Sequence, residues 1–500
     1  MSEAHGDSPA PRARRRSVAL FFAGTTLVLA SASPLWIAAM GYAGEELAAC
    51  RQLLDGQPVA WPRNGAVSVA MELPLMALAR GLGARTVHGE ETVVAMAPVL
   101  ATAGIAALLY AWAARLAGSR GWGFAIALAG TFGTMLWPYA YIGMETLQSL
   151  ALLAAAYCAL ACPSEGRPSW RRSLAFGLLA GLSVAAKSIG FLLVPAAAYL
   201  WYRLHRRKEG FAGARALTSA AVAVVVFGLN LASRLPSWER FGGTAAYGGG
   251  WLVSDPITPF LHLTALLASP NKGLLVFAPL AVVSLLALPA AWRRDRAIAV
   301  FALLTLGGVA GGISLLGIWS DETWGPRYLH VAVPPLLLVF AASRAGRPLR
   351  LRSEVPFAAA AGAGLVVSAL GVLFYYGTLV GAAHGTTTLT LESLQGDLTW
   401  NHPRFNARLL RVWLSGGTVP FVIRREKIWH FRDPNQPLIW RAFDVRPMAV
   451  PQPFVLVPAR SAGERAIKWT CVLAAIAGLL LLSAAVRARD RPPGGIIPRA

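Results

Sequence analysis

Carboxylates are scarce in this chain, which carries 24 Asp and Glu against 46 Lys and Arg, so their positions are informative. Two stand side by side, Glu45 and Glu46, just past the apolar run 17–40. Glu72, Glu145, Asp321 and Glu322 follow, alternating along the sequence with Lys187, Arg240, Lys272 and Arg327. A carboxylate can take a proton from a hydroxyl or an amine. A guanidinium or ammonium can hold a phosphate, and the planar fork of Arg suits it better than the point charge of Lys. All of these groups border long apolar runs, where ionisable side chains are costly and commonly line a cavity. The two sets together describe a site for an anionic, partly lipidic ligand. Plainer readings stand beside this one. Two carboxylates favour a helix N-terminus through the macrodipole, and Lys187 and Arg327 have the length to reach headgroups from the ends of apolar runs. The remaining charges can simply be solvated at the interface.

The elements that must position these residues are membrane spans. Of 500 residues, 56% are hydrophobic and 14% charged, with a mean hydropathy of +0.52. Ordinary soluble domains carry about 25% charged residues. Apolar runs near ~20 residues, enough to cross a ~30 Å hydrocarbon core, recur along the chain. The fold class is therefore an all-α polytopic membrane protein. The net charge of +22 does not indicate nucleic acid. Its Lys and Arg gather in short clusters between apolar runs, at Arg12–Arg16, Arg206–Lys208, Arg293–Arg296 and Arg344–Arg352, which is the positive-inside pattern. Richness in Ala, Gly and Arg points to a bacterium and hence to its plasma (inner) membrane. Four cysteines give no disulfide framework. Cys158 and Cys162 share a helix face, but without His or further Cys they read as packing residues, not metal ligands.

The basic cluster Arg12–Arg16 sets the N-terminus in the cytoplasm. The first apolar run is long and followed by many others, so it reads as an uncleaved span. Spans are expected at 17–40, 93–114, 121–138, 145–162, 173–186, 189–203, 212–234, 273–292, 297–317, 329–343, 355–380 and 468–486. That gives about 12 transmembrane helices with both termini inside, and every short cytoplasmic turn is then net basic. The chain divides into a basic segment 1–16, a transmembrane core 17–380, a polar extracytoplasmic segment 381–466, a last helix 467–486 and a tail 487–500. The large first outer loop, 41–92, holds an apolar stretch at 67–82 that is short and interrupted by Glu72 and Pro74. It is expected to lie at the interface. Residues 236–271 form an outer loop, and 381–466 suits a small cap domain. This threading puts all the acids and cations named above on the outer side. Trp137, Tyr139 and Tyr141 read as an aromatic belt. Gly177 and Gly181, spaced for close helix packing, are expected by chance in so Gly-rich a chain. His262 and His330 lie outside too, but no spacing joins them to a carboxylate as a metal site, so they read as structural or solvated.

Six short blocks carry a family resemblance. They are Gly44-Glu45-Glu46-Leu47, Leu136-Trp137-Pro138-Tyr139 through Glu145-Thr146-Leu147, Gly181-Leu182 through Lys187, Arg240-Phe241-Gly242, Ser269-Pro270-Asn271-Lys272-Gly273-Leu274 and Trp324-Gly325-Pro326-Arg327-Tyr328. In that order, over residues 20–345, the chain resembles the GT-C superfamily of integral-membrane glycosyltransferases, which use polyprenyl-phosphate sugars. Within it, the chain is similar to bacterial relatives of protein O-mannosyltransferases and aminoarabinose transferases. The resemblance implies a GT-C-like fold and transfer of a hexosyl or pentosyl group from a polyprenyl-phosphate donor. It implies inversion without a covalent intermediate, on the extracytoplasmic side, to a lipid, glycan or protein acceptor. It also implies a first-loop carboxylate as base, Glu45 or Glu46, with Glu45 aligned to the family's first acidic position and Glu standing where Asp is usual. Glu145 would orient the acceptor or assist a divalent metal ion, which is a possible cofactor. Arg327, then Lys187, with Lys272 and Arg240 behind them, would hold the donor phosphate. Glu72, Asp321, Glu322 and Tyr328 would orient the acceptor. Two other functions fit the same charges. One is a transporter or flippase of lipid-linked glycans, although repeats and broken midplane helices are not evident. The other is a non-catalytic subunit that kept the fold.

Overall fold

In lipid, a backbone amide is satisfied only inside a helix or a closed barrel, and this sequence takes the first route. The computed structural model describes residues 11–32, 43–62, 64–84, 87–141, 143, 145–161, 168–207, 210–240, 253, 255–316, 324–350, 354–373, 401–415 and 462–487. These are helical but for turns and one antiparallel pair of two-residue strands, β1 (Arg206–Arg207) and β2 (Gly210–Phe211). Among the described residues, five helices are long and apolar enough to cross a membrane: Thr92–Ala117, Gly213–Pro236, Arg296–Ser314, Val355–Leu373 and Arg465–Arg487. Shorter apolar helices cover Glu145–Ala161, Thr258–Ala268 and Arg327–Ser343.

In chain order, α1 is Pro11–Ser31, and the first loop folds as α2 (Ala43–Leu54), α3 (Ala66–Gly81) and α4 (Val87–Val94). Then come α5 (Met96–Ala117), α6 (Arg120–Phe132), α7 (Leu136–Tyr139) and α8 (Glu145–Ala156). Next are α9 (Trp170–Ala185), α10 (Val194–His205) and α11 (Gly213–Arg240). The third group is α12 (Thr258–Ala268), α13 (Leu274–Phe277), α14 (Pro279–Leu286), α15 (Leu288–Arg294) and α16 (Arg296–Ser314). After a 3-10 turn, Arg327–Ala332, the chain continues as α17 (Val333–Ser343) and α18 (Val355–Leu373). Helix α19 (His402–Leu414) lies within the polar segment, and α20 (Ala462–Arg487) is the last.

Small residues set the closest helix contacts, as expected where lipid removes the hydrophobic drive between helices. α20 returns to α1, and a Cβ added at Gly24 would come 2.7 Å from the Gly478 carbonyl oxygen. Gly177 and Gly181 face α11 so tightly that added Cβ atoms would meet the backbone of Ser219 and Ala223. The pair is therefore a packing device, contrary to the chance expectation. Larger side chains fill the centre. Trp112, Trp122, Phe301 and Phe340 are buried there, and Phe340 stacks on Phe357 with ring centroids 5.0 Å apart.

Two other expectations need correction. Tyr139 and Tyr141 are buried and donate from their hydroxyls to the carbonyls of Trp324 and Leu29, each at 2.8 Å, so they are interior struts and not belt residues. The expected loop 236–271 also contains helix among its described residues. α11 runs through Pro236 to Arg240, and α12 follows. At 11 residues, α12 falls below the length of a span, which is why its apolar character did not register as one.

The first loop has its own small apolar core of Leu47, Ala49, Cys50, Val69, Met76 and Val94. Ion pairs brace its far side, with Arg80 on Asp55 (2.6 Å) and Glu90 (2.7 Å), and Arg51 on Glu90 (2.7 Å). Asn230, inside apolar α11, docks this unit onto the spans. Its Oδ1 accepts from the Val67 amide at 2.8 Å, and its Nδ2 donates to the carbonyls of Asn64 (3.0 Å) and Ala185 (2.7 Å).

Candidate functional site

Two groups of buried ionisable side chains meet around that docking point. The first belongs to the first loop. Glu45 and Glu46 occupy the first turn of α2, where the macrodipole favours carboxylates. One turn direction separates their fates: Glu45 is half-buried, while Glu46 is fully buried and accepts from Asn64 Nδ2 at 3.1 Å. Glu72, on α3, is buried beside it. One oxygen of each, Glu46 Oε2 and Glu72 Oε2, has no hydrogen-bond partner among the described residues. Burial, then the neighbouring Glu72 carboxyl, push Glu46 well above the ordinary carboxylate range. Burial alone pushes Glu72 up to about 8. Two carboxyls so placed cannot both ionise cheaply, so near neutral pH the pair holds a proton and titrates as a unit. Cys50 lies against this pair, its thiol pushed to about 12 by burial and by the two carboxyls, and it donates weakly to the Val69 carbonyl at 3.6 Å. That makes it an inert packing thiol.

The second group brings together residues from three distant parts of the chain. Glu145 opens α8, Lys187 sits between α9 and the 3-10 turn Ser188–Leu193, and Arg327 follows Gly325-Pro326. Lys187 Nζ donates to Glu145 Oε1, and Arg327 Nε lies 3.2 Å from the same oxygen. The Tyr328 ring lies under both cations, with Lys187 Nζ 5.3 Å and the Arg327 guanidinium 5.1 Å from its centroid. Glu145, Lys187 and Tyr328 are buried, and Arg327 nearly so. Neither cation reaches outward as a headgroup anchor would. Glycine makes the approach possible at two places. A Cβ at Gly143 would come 2.8 Å from Glu145 Oε2, and Gly325 holds φ at 63° with Phe277 packed where a side chain would go. Behind this group, His330 is buried, with Nδ1 2.7 Å from Ser149 Oγ, one helical turn along α8 from Glu145.

The two groups are joined by a hydrogen-bonded path. Glu46 binds Asn64, the Asn64 carbonyl binds Asn230, and Asn230 binds the carbonyl of Ala185, two residues before Lys187. The structure thus brings together Glu46 with Glu72, and Glu145 with Lys187, Arg327 and Tyr328. Lys272 is buried in the turn between α12 and α13. Arg240 ends α11, but its side chain, with Asp321 and Glu322, lies outside the described residues. His262 is spent on the Ser314 carbonyl at 3.0 Å. Among the described residues, no three His, Cys, Asp or Glu side chains group as a metal site. Sequence reasoning passed over Asn64, Asn230, Ser149 and Gly143. Only Asn230 carried a readable signal, as a lone amide in an apolar helix that needs partners.

No family model and no curated protein matches the chain. Two solved structures are similar in overall course. One is ArnT from Cupriavidus metallidurans in the apo state, 12% identical, covering 94% of this chain and 76% of that one with a TM-score of 0.47. The other is the same organism's ArnT bound to undecaprenyl phosphate, 14% identical, covering 95% and 77%, with a TM-score of 0.46. At such identity no residue's role passes from one chain to the other.

Proposed function

We propose that this chain is a membrane glycosyltransferase that moves a sugar from a polyprenyl-phosphate donor to an acceptor on the extracytoplasmic face. One observation carries the reading. Lys187 and Arg327, two buried cations from distant parts of the chain, converge on Glu145 Oε1, and the Tyr328 ring lies under both. Two cations held at one point suit a phosphate, and a phosphate with a lipid tail suits a site among apolar helices. Glu145 keeps the two cations together while the site is empty. When the glycosidic bond to phosphate breaks, they would stabilise the charge that grows on the leaving oxygen. Tyr328 fixes the directions of both cations.

The base comes from the first loop. Glu46 is the first candidate by its unpartnered oxygen and its place beside Glu72, and it acts as base once pH has risen far enough to ionise it. Glu45 stands second by its exposure. In-line attack by the acceptor opposite the departing phosphate gives inversion. Glu145 then acts through Lys187 and Arg327, which both meet its Oε1.

The test is transfer from a radiolabelled polyprenyl-phosphate sugar in membranes holding wild type, Glu45→Gln, Glu46→Gln or Glu145→Gln protein. Full transfer by all three variants would remove the carboxylates from the mechanism. No transfer by wild type, with lipid-linked donor moved across liposomes, would favour a flippase instead.

A further inference from the structure

Helix α19 stands in the long polar segment, yet its first residues reach into the body of the spans. Asn401 caps it, accepting from the Arg404 amide at 2.9 Å. The other end of the same side chain donates to the Pro270 carbonyl and to Asn271 Oδ1, the latter at 3.1 Å. His402 stacks on Trp324 at 5.6 Å between centroids and 29° between planes. Asn406 donates to the Leu370 carbonyl at 2.9 Å, and Phe405 and Leu409 are buried beneath the helix. A helix of 13 residues does not hold itself in water, so these contacts decide where it sits.

What they grip matters more than how many there are. Asn271 immediately precedes Lys272, and Trp324 begins the turn that ends in Arg327. Trp324 is fixed on its other sides. Its ring meets Phe277 edge-on at 5.4 Å, its carbonyl accepts from Tyr139, and a Cβ at Gly371 would come 2.6 Å from Trp324 Cε2. His402 covers the remaining stacked face. One short stretch of the polar segment therefore holds the two cation-bearing turns, 269–273 and 324–327, against each other.

We infer that the start of α19 is a clamp, and that Asn401 and His402 are positioning residues for the donor phosphate. The assignment rests on the function proposed above. A phosphate is recognised by cations at fixed distances, and small displacements cost binding steeply. Releasing either turn lets Lys272 or Arg327 drift from the anion while every span stays in place.

The experiment uses the full chain in lipid nanodiscs, with variants Asn401→Asp, His402→Ala and His402→Phe. Asp keeps the cap and loses both donated bonds, and Phe keeps the stack, so neither need unfold the helix. Three quantities are read: the rate at which an amine reagent modifies Lys272, binding of undecaprenyl phosphate alone, and the unfolding temperature. Asn401→Asp is expected to expose Lys272 and, like His402→Ala, to weaken lipid-phosphate binding about tenfold, the order that loss of a pair of hydrogen bonds or of one ring stack gives. The unfolding temperature stays near that of wild type, and His402→Phe restores binding. Unchanged modification in Asn401→Asp together with unchanged binding in His402→Ala would overturn the clamp. Lys272 exposed by Asn401→Asp, with no lipid phosphate bound even by wild type, would leave the clamp standing and sink the donor assignment.

Discussion

Arg327 Nε lies 3.2 Å from Glu145 Oε1, joining the turn before α17 to the first residue of α8. Lys187 reaches the same oxygen from the break between α9 and α10. Three chain segments thus end on one atom, and the geometry depends on each. A buried carboxylate shared by two cations is costly to assemble and costlier to break, because removing one partner strands a charge without compensation.

Arg327→Gln should therefore do more than remove a contact. With the guanidinium gone, one of the two cations that would meet the phosphate is lost. Transfer is expected to fall by about 100- to 1000-fold, in line with removal of one donor from a charge-stabilising site. Arg327→Lys should recover only part of this, since Lys cannot make the forked contact. Steady-state transfer against donor concentration decides it, and Arg327→Gln activity within threefold of wild type would exclude the role.

Glu145→Ala leaves two cations buried side by side. Stability should drop by about 3–5 kcal/mol, the usual penalty for orphaning a buried charge. Glu145→Ala combined with Lys187→Met should unfold less readily than Glu145→Ala alone, because the stranded excess falls. Denaturant unfolding in detergent reads both. A double variant less stable than the single one would show that the like-charge argument is wrong.

Much of this site was legible in the sequence because charge is conspicuous in an apolar chain. Glu46, Glu72, Glu145, Lys187, Arg327 and Tyr328 could all be named from residue type and span boundaries. Their grouping could not. The sequence made Glu45 and Glu46 equivalent neighbours, and only the rotation of α2 buries one and leaves the other half-exposed. Nothing in the spacing pairs Glu72 with Glu46, which α3 brings beside it. Among the described residues, length and hydropathy point to five helices that can cross a membrane, near the expected spans 93–114, 212–234, 297–317, 355–380 and 468–486, while the expected span 273–292 divides into α13, α14 and α15. Asn230, His330 and Trp324 owe their importance to partners far along the chain. Gly177 and Gly181 were misjudged because spacing alone does not say what faces a glycine. Tyr139 and Tyr141 were misjudged because position at a span end does not reveal burial.

Asn230→Leu tests the dock between the first loop and the spans. The substitution removes three hydrogen bonds and leaves the Val67 amide and the carbonyls of Asn64 and Ala185 to find others. Each buried group left unsatisfied costs about 1–3 kcal/mol. The first loop should then loosen from α9 while keeping its own core. Limited proteolysis in residues 55–62 should speed up at least tenfold, about 1.4 kcal/mol of lost protection. Unchanged cleavage would mean that the apolar contact of Val67 with Ala185 and Ala186 suffices.

The carboxyl pair should leave its mark on the pH dependence of both stability and transfer, with opposite signs. The folded chain binds Glu72's proton up to about 8, against the usual 4.5, and Glu46 is shifted the same way. Between those values the folded state holds more protons than the unfolded one. The stabilisation is thus fully present below the usual carboxylate range and is lost as pH rises through about 8. A base must be ionised, so transfer should instead climb with pH over the same window. Burial is the larger cause of Glu46's shift and stays in Glu72→Gln, but the neighbouring charge is removed, so the acid limb of the transfer profile should move part of the way to lower pH. Glu45→Gln, a smaller contributor to that shift, should move it less. Donor-saturated transfer rates from pH 5 to 9 measure this directly. An acid limb that stays in place in Glu72→Gln would separate Glu72 from the base, and one that vanishes only in Glu45→Gln would transfer the role to the half-exposed neighbour.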